Sequence, residues 1–225
     1  MNTEELFTYV DHTALQAYTS WEQIETLCRE AETYRMASVC IPGCYVKRAH
    51  EAFPGLNICT VIGFPLGYSV REAKIAEAKQ AAEDGASEID MVVNLCDVKN
   101  REYEKVKNEI AAVKQAAGER VLKVILETCY LEEEEKIALC TAVTEAGADY
   151  IKTSTGFGTA GATLKDVRLM KAHIGPDVKI KAAGGIRSKT EMEHYIAEGC
   201  SRIGTSSAIS MLLPDVSKNI RRTAG

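Results

Sequence analysis

Hydrophobic and polar positions along this chain follow two periods that take turns. Short runs rich in β-branched residues fall at 38–41 (SVCI), 57–62 (NICTVI), 88–93 (EIDMVV), 121–127 (VLKVILE), 149–153 (DYIKT), 178–182 (VKIKA) and 201–204 (SRIG). A weaker run, YVDHT at 9–13, comes first. These read as strands. Between them lie segments with helical spacing: residues 100–117 put Tyr103, Val106, Ile110 and Val113 on one stripe, as an amphipathic helix does. Helix starts are predicted where Ser69 precedes Glu72, Thr163 precedes Asp166 and Ser188 precedes Glu191 by three residues. Such pairs can satisfy two orphan N–H groups of a first turn.

Three helix-to-strand junctions resemble one another: EDGASEID, EAGADYIK and AEGCSRIG. Each has a glycine where a helix end turns left-handed, then a small residue, then a strand. Repetition of such βα units implies a parallel sheet covered by helices. Eight strands in 225 residues fit a (β/α)8 barrel near the short end of its range. No Pro/Gly/Ser-rich linker interrupts the alternation, so residues 1–225 read as a single domain. The rival, a doubly wound open sheet, lacks a GxGxxG at its first turn.

Strand parity then sorts the charges, because successive side chains point to opposite faces. The helix-facing side of a barrel strand must be apolar, so the charged parity faces the barrel interior. That places Glu88, Asp90, Lys123, Glu127, Lys152, Lys179 and Lys181 around one axis. Glu88, Lys123 and Lys179, nearer the strand starts, read as a structural ion network. Asp90, Glu127, Lys152 and Lys181 lie toward the C-terminal ends, the face that carries active sites in this fold.

Lys152, in the stretch DYIKTST, is the most informative of these. A lysine acts as a nucleophile only as the neutral amine. From an ordinary pKa of roughly 10.4, half-neutrality near pH 7 takes about 4.6 kcal/mol. A second ammonium about 4.5 Å away, at an effective dielectric near 20, supplies about 3.7 kcal/mol. Lys152 and Lys181 end neighbouring strands, so Lys181 can be that second cation. Such a pair suits imine formation with a carbonyl substrate, with Asp90 as the acid/base. The bland alternative is a buried ion network without chemistry.

Two small-residue turns, AAGGIRS after Lys181 and GTSS after the last strand, lead into helix starts. This fold commonly binds phosphate there; Gly156 offers a third turn. Each glycine could also serve only a tight βα connection.

Composition narrows the partners. Hydrophobic residues make up 46% and charged residues 26%, with a net charge of -5. That balance argues against nucleic acid, which rewards basic surfaces. The basic run Lys218, Arg221 and Arg222 reads as a solvated tail. MNTEELF does not resemble a signal peptide, and no apolar stretch approaches the roughly 20 residues of a membrane span. Eight cysteines and four histidines show no zinc-type spacing. Free thiols in a reducing cytoplasm, with no metal, are the expectation.

Together VDHTAL, CTVIGFPLG, EIDMVVN, YIKTSTGFG, IKAAGGIR and GTSS, spread over residues 10 to 207, resemble the deoxyribose-phosphate aldolase family. The resemblance implies a single-domain (β/α)8 TIM barrel with a short N-terminal helix. It implies a class I aldolase without metal or cofactor, reversibly cleaving 2-deoxy-D-ribose 5-phosphate to D-glyceraldehyde 3-phosphate and acetaldehyde. By motif, Lys152 matches the Schiff-base lysine, Lys181 the second lysine that perturbs it, and Asp90 the proton-relay carboxylate. Asp11, Thr13 and Cys40 match substrate-site positions. Gly156, Gly184, Gly185, Gly204, Ser206 and Ser207 match phosphate-loop positions. The implied setting is deoxynucleoside catabolism by a cytoplasmic homodimer. Two departures stand out: Phe157 occupies a position where some members have lysine, and the chain ends RRTAG, without the tyrosine-bearing tail of longer members. The rivals are a sugar-phosphate isomerase using Asp90 or Glu127 as base, and a non-catalytic sugar-phosphate binder.

Overall fold

In the computed structural model, whose described residues are 1–213, the strands close into a ring. They are β1 (Val10–Thr13), β2 (Ser38–Ile41), β3 (Ile58–Ile62), β4 (Glu88–Val92), β5 (Val121–Ile125), β6 (Tyr150–Lys152), β7 (Lys179–Ala183) and β8 (Cys200–Thr205). All neighbours run parallel, and β1 closes the barrel against β8 with Val10 opposite Ile203. The basic run at Lys218, Arg221 and Arg222 and the RRTAG terminus lie outside the described residues.

A short helix, α1 (Thr3–Phe7), precedes β1. The others are α2 (Trp21–Tyr34), α3 (Val46–Ala52), α4 (Arg71–Glu83), α5 (Leu95–Lys99), α6 (Tyr103–Ala117), α7 (Glu133–Glu145), α8 (Leu164–His173), α9 (Lys189–Ala197) and α10 (Ala208–Leu212). The stripe anticipated on α6 is the one that is buried: Val106, Ile110, Val113 and Ala117 face the sheet, and Tyr103 packs partly against it. Removing one such side chain, as in Ile110→Ala, costs about 2–5 kcal/mol. The three junction glycines adopt left-handed φ values of 100° at Gly85, 73° at Gly147 and 111° at Gly199. A β-carbon is strained in that region, and glycine has none.

Helix caps follow the sequence in two cases of three. Ser188 caps α9 with a reciprocal bond to Glu191, and Thr163 caps α8 by accepting from the Asp166 N–H. Ser69 does not cap α4. Val70 takes the cap position in extended conformation, its carbonyl accepts from the N–H groups of Ala73 and Lys74, and Ser69 Oγ is left buried without a partner. The chain thus enters the helix one residue later than the Ser69–Glu72 spacing implied.

Lys179 also departs from expectation. It is the first residue of β7, exposed at the lower rim, with its Nζ 5.8 Å from the Tyr150 ring centre. The buried Tyr150 ring occupies the interior at that level, and Arg202 approaches it at 5.8 Å as well. Parity pointed Lys179 inward, but the barrel ends at its position.

Candidate active site

The barrel interior is filled by charge. On its floor Lys123 Nζ lies 2.5 Å from Glu88 and donates to Asp90 Oδ1 at 2.9 Å. Arg202 spans Glu88 and Asp11, with its Nη2 2.6 Å from Glu88 Oε1. Lys181 sits 2.5 Å from Asp11 Oδ2, and Ser38 donates to Asp11 Oδ1 at 2.8 Å. Three carboxylates thus face three cations below Lys152, which is the surplus positive group of the cluster. Burial of unpaired charge would be prohibitive; paired and hydrogen-bonded, the network is tolerated.

Asp90 is the hinge of this arrangement. Its Oδ2 accepts from Lys152 Nζ and from Lys181 Nζ, both at 2.8 Å, while Cys59 Sγ lies 3.1 Å from Oδ1. Burial alone would push the Asp90 carboxyl up, but Lys123, Lys152 and Lys181 together hold it well below the usual carboxylate range. Asp11 is held low in the same way, burial being outweighed by Lys181, Lys123 and Arg202. Lys181 moves oppositely: burial favours its neutral form, yet Asp11 and Asp90 prevail and keep it charged above its ordinary range. The second cation beside Lys152 is therefore a fixed one. The sequence-based energy of two bare ammoniums omits Asp90, which stands between them and compensates part of that repulsion.

Above Lys152 the interior opens into a cavity of about 760 Å³. Its wall includes Thr13, Thr155, Gly156, Phe157, Gly184, Gly185, Arg187, Gly204, Ser206 and Ser207. Gly156, Gly184 and Gly185 have φ of 88°, 85° and 76°. At Gly184 the neighbouring Gly161 Cα would lie 3.1 Å from an added Cβ, so backbone approaches backbone and leaves no room for a side chain. Phe157, 46% exposed, stands edge-on to Phe64 at 5.3 Å between ring centres. Its apolar partner, Phe64, is thus in place at the rim.

The six residues expected at phosphate turns and Thr13 therefore line one space with Lys152. Asp90 and Lys181 lie directly beneath it, fully buried. Asp11 and Cys40 are not on the cavity wall. Asp11 is one interior layer below Thr13 on β1 and is consumed by Lys181 and Arg202. Cys40 is buried on β2 opposite Cys59, its register partner on β3. A hydrogen bond from Cys59, opposed by burial and aided by Lys181, lowers the Cys40 thiol from its ordinary value. Cys40, Cys59 and Asp90 bring three ligand-type atoms within 4.8 Å, but three ammoniums already claim the Asp90 oxygens. Glu127 leaves the interior altogether: β5 ends at Ile125, and Glu127 turns left-handed (φ 56°) to bond Thr155.

Arg202 and Thr155 were missed from the sequence. Alternation in CSRIGT sets Arg202 and Gly204 on one parity against Ile203, so the signal for Arg202 was available. Thr155 follows the strand end, where parity says nothing.

Known proteins resemble this chain over most of its length. A family model described as DeoC/LacD family aldolase matches residues 6–211. A deoxyribose-phosphate aldolase of Clostridium botulinum (strain Alaska E43 / Type E3) is 60% identical over 213 residues, covering 94% of this chain and 96% of the relative. One from Clostridioides difficile (strain 630) is 57% identical over 204 residues, covering 90% and 93%. Among solved structures, "QR15, an Aldolase" superposes with a TM-score of 0.90 at 39% identity, covering 96% of this chain and 98% of that one. The tetrameric deoxyribose phosphate aldolase of Aeropyrum pernix gives 0.85 at 32% identity, covering 96% and 93%. The chain belongs to the DeoC/LacD family of aldolases.

Proposed function

We propose that this protein is a class I deoxyribose-phosphate aldolase, interconverting 2-deoxy-D-ribose 5-phosphate with D-glyceraldehyde 3-phosphate and acetaldehyde. The observation that carries the reading is the position of Lys152: at the C-terminal end of β6, 3% exposed at the cavity floor, on one carboxylate oxygen with Lys181.

In the cleavage direction the neutral Lys152 amine adds to the C1 carbonyl of the open-chain sugar. Loss of water from the carbinolamine gives an iminium, which draws electrons as the C2–C3 bond breaks. The C3 hydroxyl gives up its proton and leaves as the aldehyde of glyceraldehyde 3-phosphate. Protonation of the remaining enamine at C2 and hydrolysis of the imine release acetaldehyde and the amine. Each carbinolamine and enamine stage needs a proton moved near Nζ. Asp90, bonded to Lys152 at Oδ2, is the carboxylate placed to take that proton and return it, while Lys181 stays charged beside them. The turns at Gly156, Gly184–Gly185 and Ser206–Ser207 take the phosphate through backbone N–H groups, with Arg187 on the same wall supplying a side-chain cation.

The reading includes a single barrel domain, a cytoplasmic setting and a homodimer serving deoxynucleoside breakdown. The first is supported by the uninterrupted ring of strands. Among the described residues no helix is long and apolar enough to cross a membrane. The Aeropyrum pernix relative is a tetramer, which supports self-association, and sedimentation analysis distinguishes the homodimer from a higher order.

The direct test is borohydride reduction in the presence of acetaldehyde, followed by peptide mapping. A two-carbon adduct should appear on Lys152 and vanish in Lys152→Leu together with cleavage activity. An isomerase or a simple binder would form no adduct, and that result would end the proposal.

A further inference from the structure

Glu127 is a buried carboxylate that the aldol chemistry above does not use. It is 2% exposed and held in a left-handed backbone conformation that an ordinary residue adopts only at a cost. Its side chain bonds mainly to Thr155, with the Cys129 Sγ a longer contact at 3.9 Å from Oε1. Oε1 accepts the Thr155 backbone N–H at 3.2 Å, and Oε2 accepts the Thr155 hydroxyl. The space for this carboxylate exists because residue 158 is glycine: a Cβ there would stand 3.0 Å from Glu127 Cδ and 2.8 Å from Cys129 Sγ.

Thr155 lines the cavity between Lys152 and Gly156. Its hydroxyl has one proton and two lone pairs. The proton goes to Glu127, and one lone pair accepts the Phe157 N–H at 2.9 Å. What remains for a ligand is a single lone pair. Thr155 can therefore accept a hydrogen bond from the cavity and cannot donate one.

We propose that Glu127 is a positioning residue that fixes Thr155 as a hydrogen-bond acceptor for a substrate hydroxyl between the imine carbon and the phosphate. This rests on the aldolase reading, which puts C1 at Lys152 and the phosphate at the glycine turns, leaving the hydroxylated middle of the chain against Thr155. The polarity is set chemically. With glutamine at 127 the side-chain oxygen must still face the Thr155 N–H, so the amide nitrogen takes the Oε2 place and donates to Thr155 Oγ1. The Thr155 proton then has to turn toward the cavity, so a substrate hydroxyl there can only accept from Thr155 and loses the acceptor for its own proton. An isosteric change thus converts an acceptor into a donor without emptying the site.

The test compares Glu127→Gln, Thr155→Val, Thr155→Ser and the Glu127→Gln/Thr155→Val double variant with wild type. Two readouts are used: borohydride trapping of acetaldehyde, which has no hydroxyl, and kcat/KM for cleavage of 2-deoxyribose 5-phosphate. Glu127→Gln should trap acetaldehyde on Lys152 within about twofold of wild type while kcat/KM falls roughly 10- to 100-fold. The double variant should be no worse than Thr155→Val, since both changes remove the same acceptor. Wild-type cleavage by Glu127→Gln, additive losses in the double variant, or trapping that falls in parallel with cleavage would each overturn the proposal. If Glu127→Gln does not fold, the threonine variants decide: Thr155→Ser should retain at least about ten times the kcat/KM of Thr155→Val, and equality overturns it. Absence of any wild-type acetaldehyde adduct would overturn the aldolase reading itself, which a defect confined to the variants would leave standing.

Discussion

Lys152 and Lys181 both donate to Asp90 Oδ2, each at 2.8 Å. One buried oxygen is thus shared by the proposed nucleophile and by the cation beside it. Lys181 is bound on its other side to Asp11 and keeps its proton. The pair is asymmetric: of the two amines only Lys152 reaches the cavity wall.

The role of Lys181 follows from its charge. Lys181→Leu removes a permanent cation next to Lys152 while Asp90 and Asp11 remain. The protonated form of Lys152 then gains relative to the neutral amine, so imine formation should need a higher pH. Acetaldehyde trapping measured across pH 5 to 10 should show its rising limb displaced alkaline. A limb at the wild-type position would remove the electrostatic role assigned to Lys181.

Asp90→Asn tests the other half of the arrangement. It strips the shared counter-ion from Lys123, Lys152 and Lys181, three largely buried cations. Breaking buried pairs in this way costs about 3–5 kcal/mol. The urea midpoint should drop accordingly, and cleavage should fall by at least roughly a hundredfold through loss of the proton relay. A variant of wild-type stability and activity would show that Asp90 is neither counter-ion nor relay.

The phosphate assignment predicts a split between substrates. Gly185→Ala introduces a Cβ at φ 76° with no heavy atom within 4 Å of it, so the damage is to backbone geometry rather than to packing. Turning that peptide redirects an N–H intended for phosphate. kcat/KM for 2-deoxyribose 5-phosphate should fall about tenfold or more, with unphosphorylated 2-deoxyribose nearly unaffected. Equal losses would place the phosphate elsewhere.

How much of this was legible in the sequence depends on which force governed each residue. Strand positions were readable because period-two alternation and the junction glycines Gly85, Gly147 and Gly199 record backbone constraints that act locally. The convergence of Asp90, Lys152 and Lys181 was readable from parity once the ring was assumed closed. Lys179 was misplaced because parity fixes a direction but not where the barrel ends. Ser69 was misplaced because Val70, not Ser69, takes up the extended cap geometry at the start of α4. The compensation of Lys181 by Asp11 was hidden because it joins β1 to β7 through a register that no linear pattern encodes. Glu127 and Thr155 meet outside regular structure, where periodicity carries no information.

The ion cluster also sets the pH window of stability. The Asp11 and Asp90 carboxyls are depressed from an ordinary value of 3.8. Burial opposes this and the surrounding lysines impose it. A depressed carboxyl stabilises the fold fully above its unfolded pKa, and the contribution is lost as pH falls through the lower folded value. Lys181 is raised from 10.5, so its contribution is complete below that pH and disappears only when pH climbs through the higher folded value. The two signs together predict a broad plateau from about pH 5 to 9, a steep loss on the acid side below about pH 4, and little loss on the alkaline side below pH 10. Urea midpoints for wild type and Asp11→Asn at pH 7, 5 and 3 check this. Asp11→Asn should be less stable than wild type at pH 7, and the gap should narrow toward pH 3, as the native carboxylate loses its advantage over the amide. A gap that stays constant with pH would mean that the Asp11–Lys181 pair contributes no net electrostatic stabilisation, and that the cluster owes its persistence to packing alone.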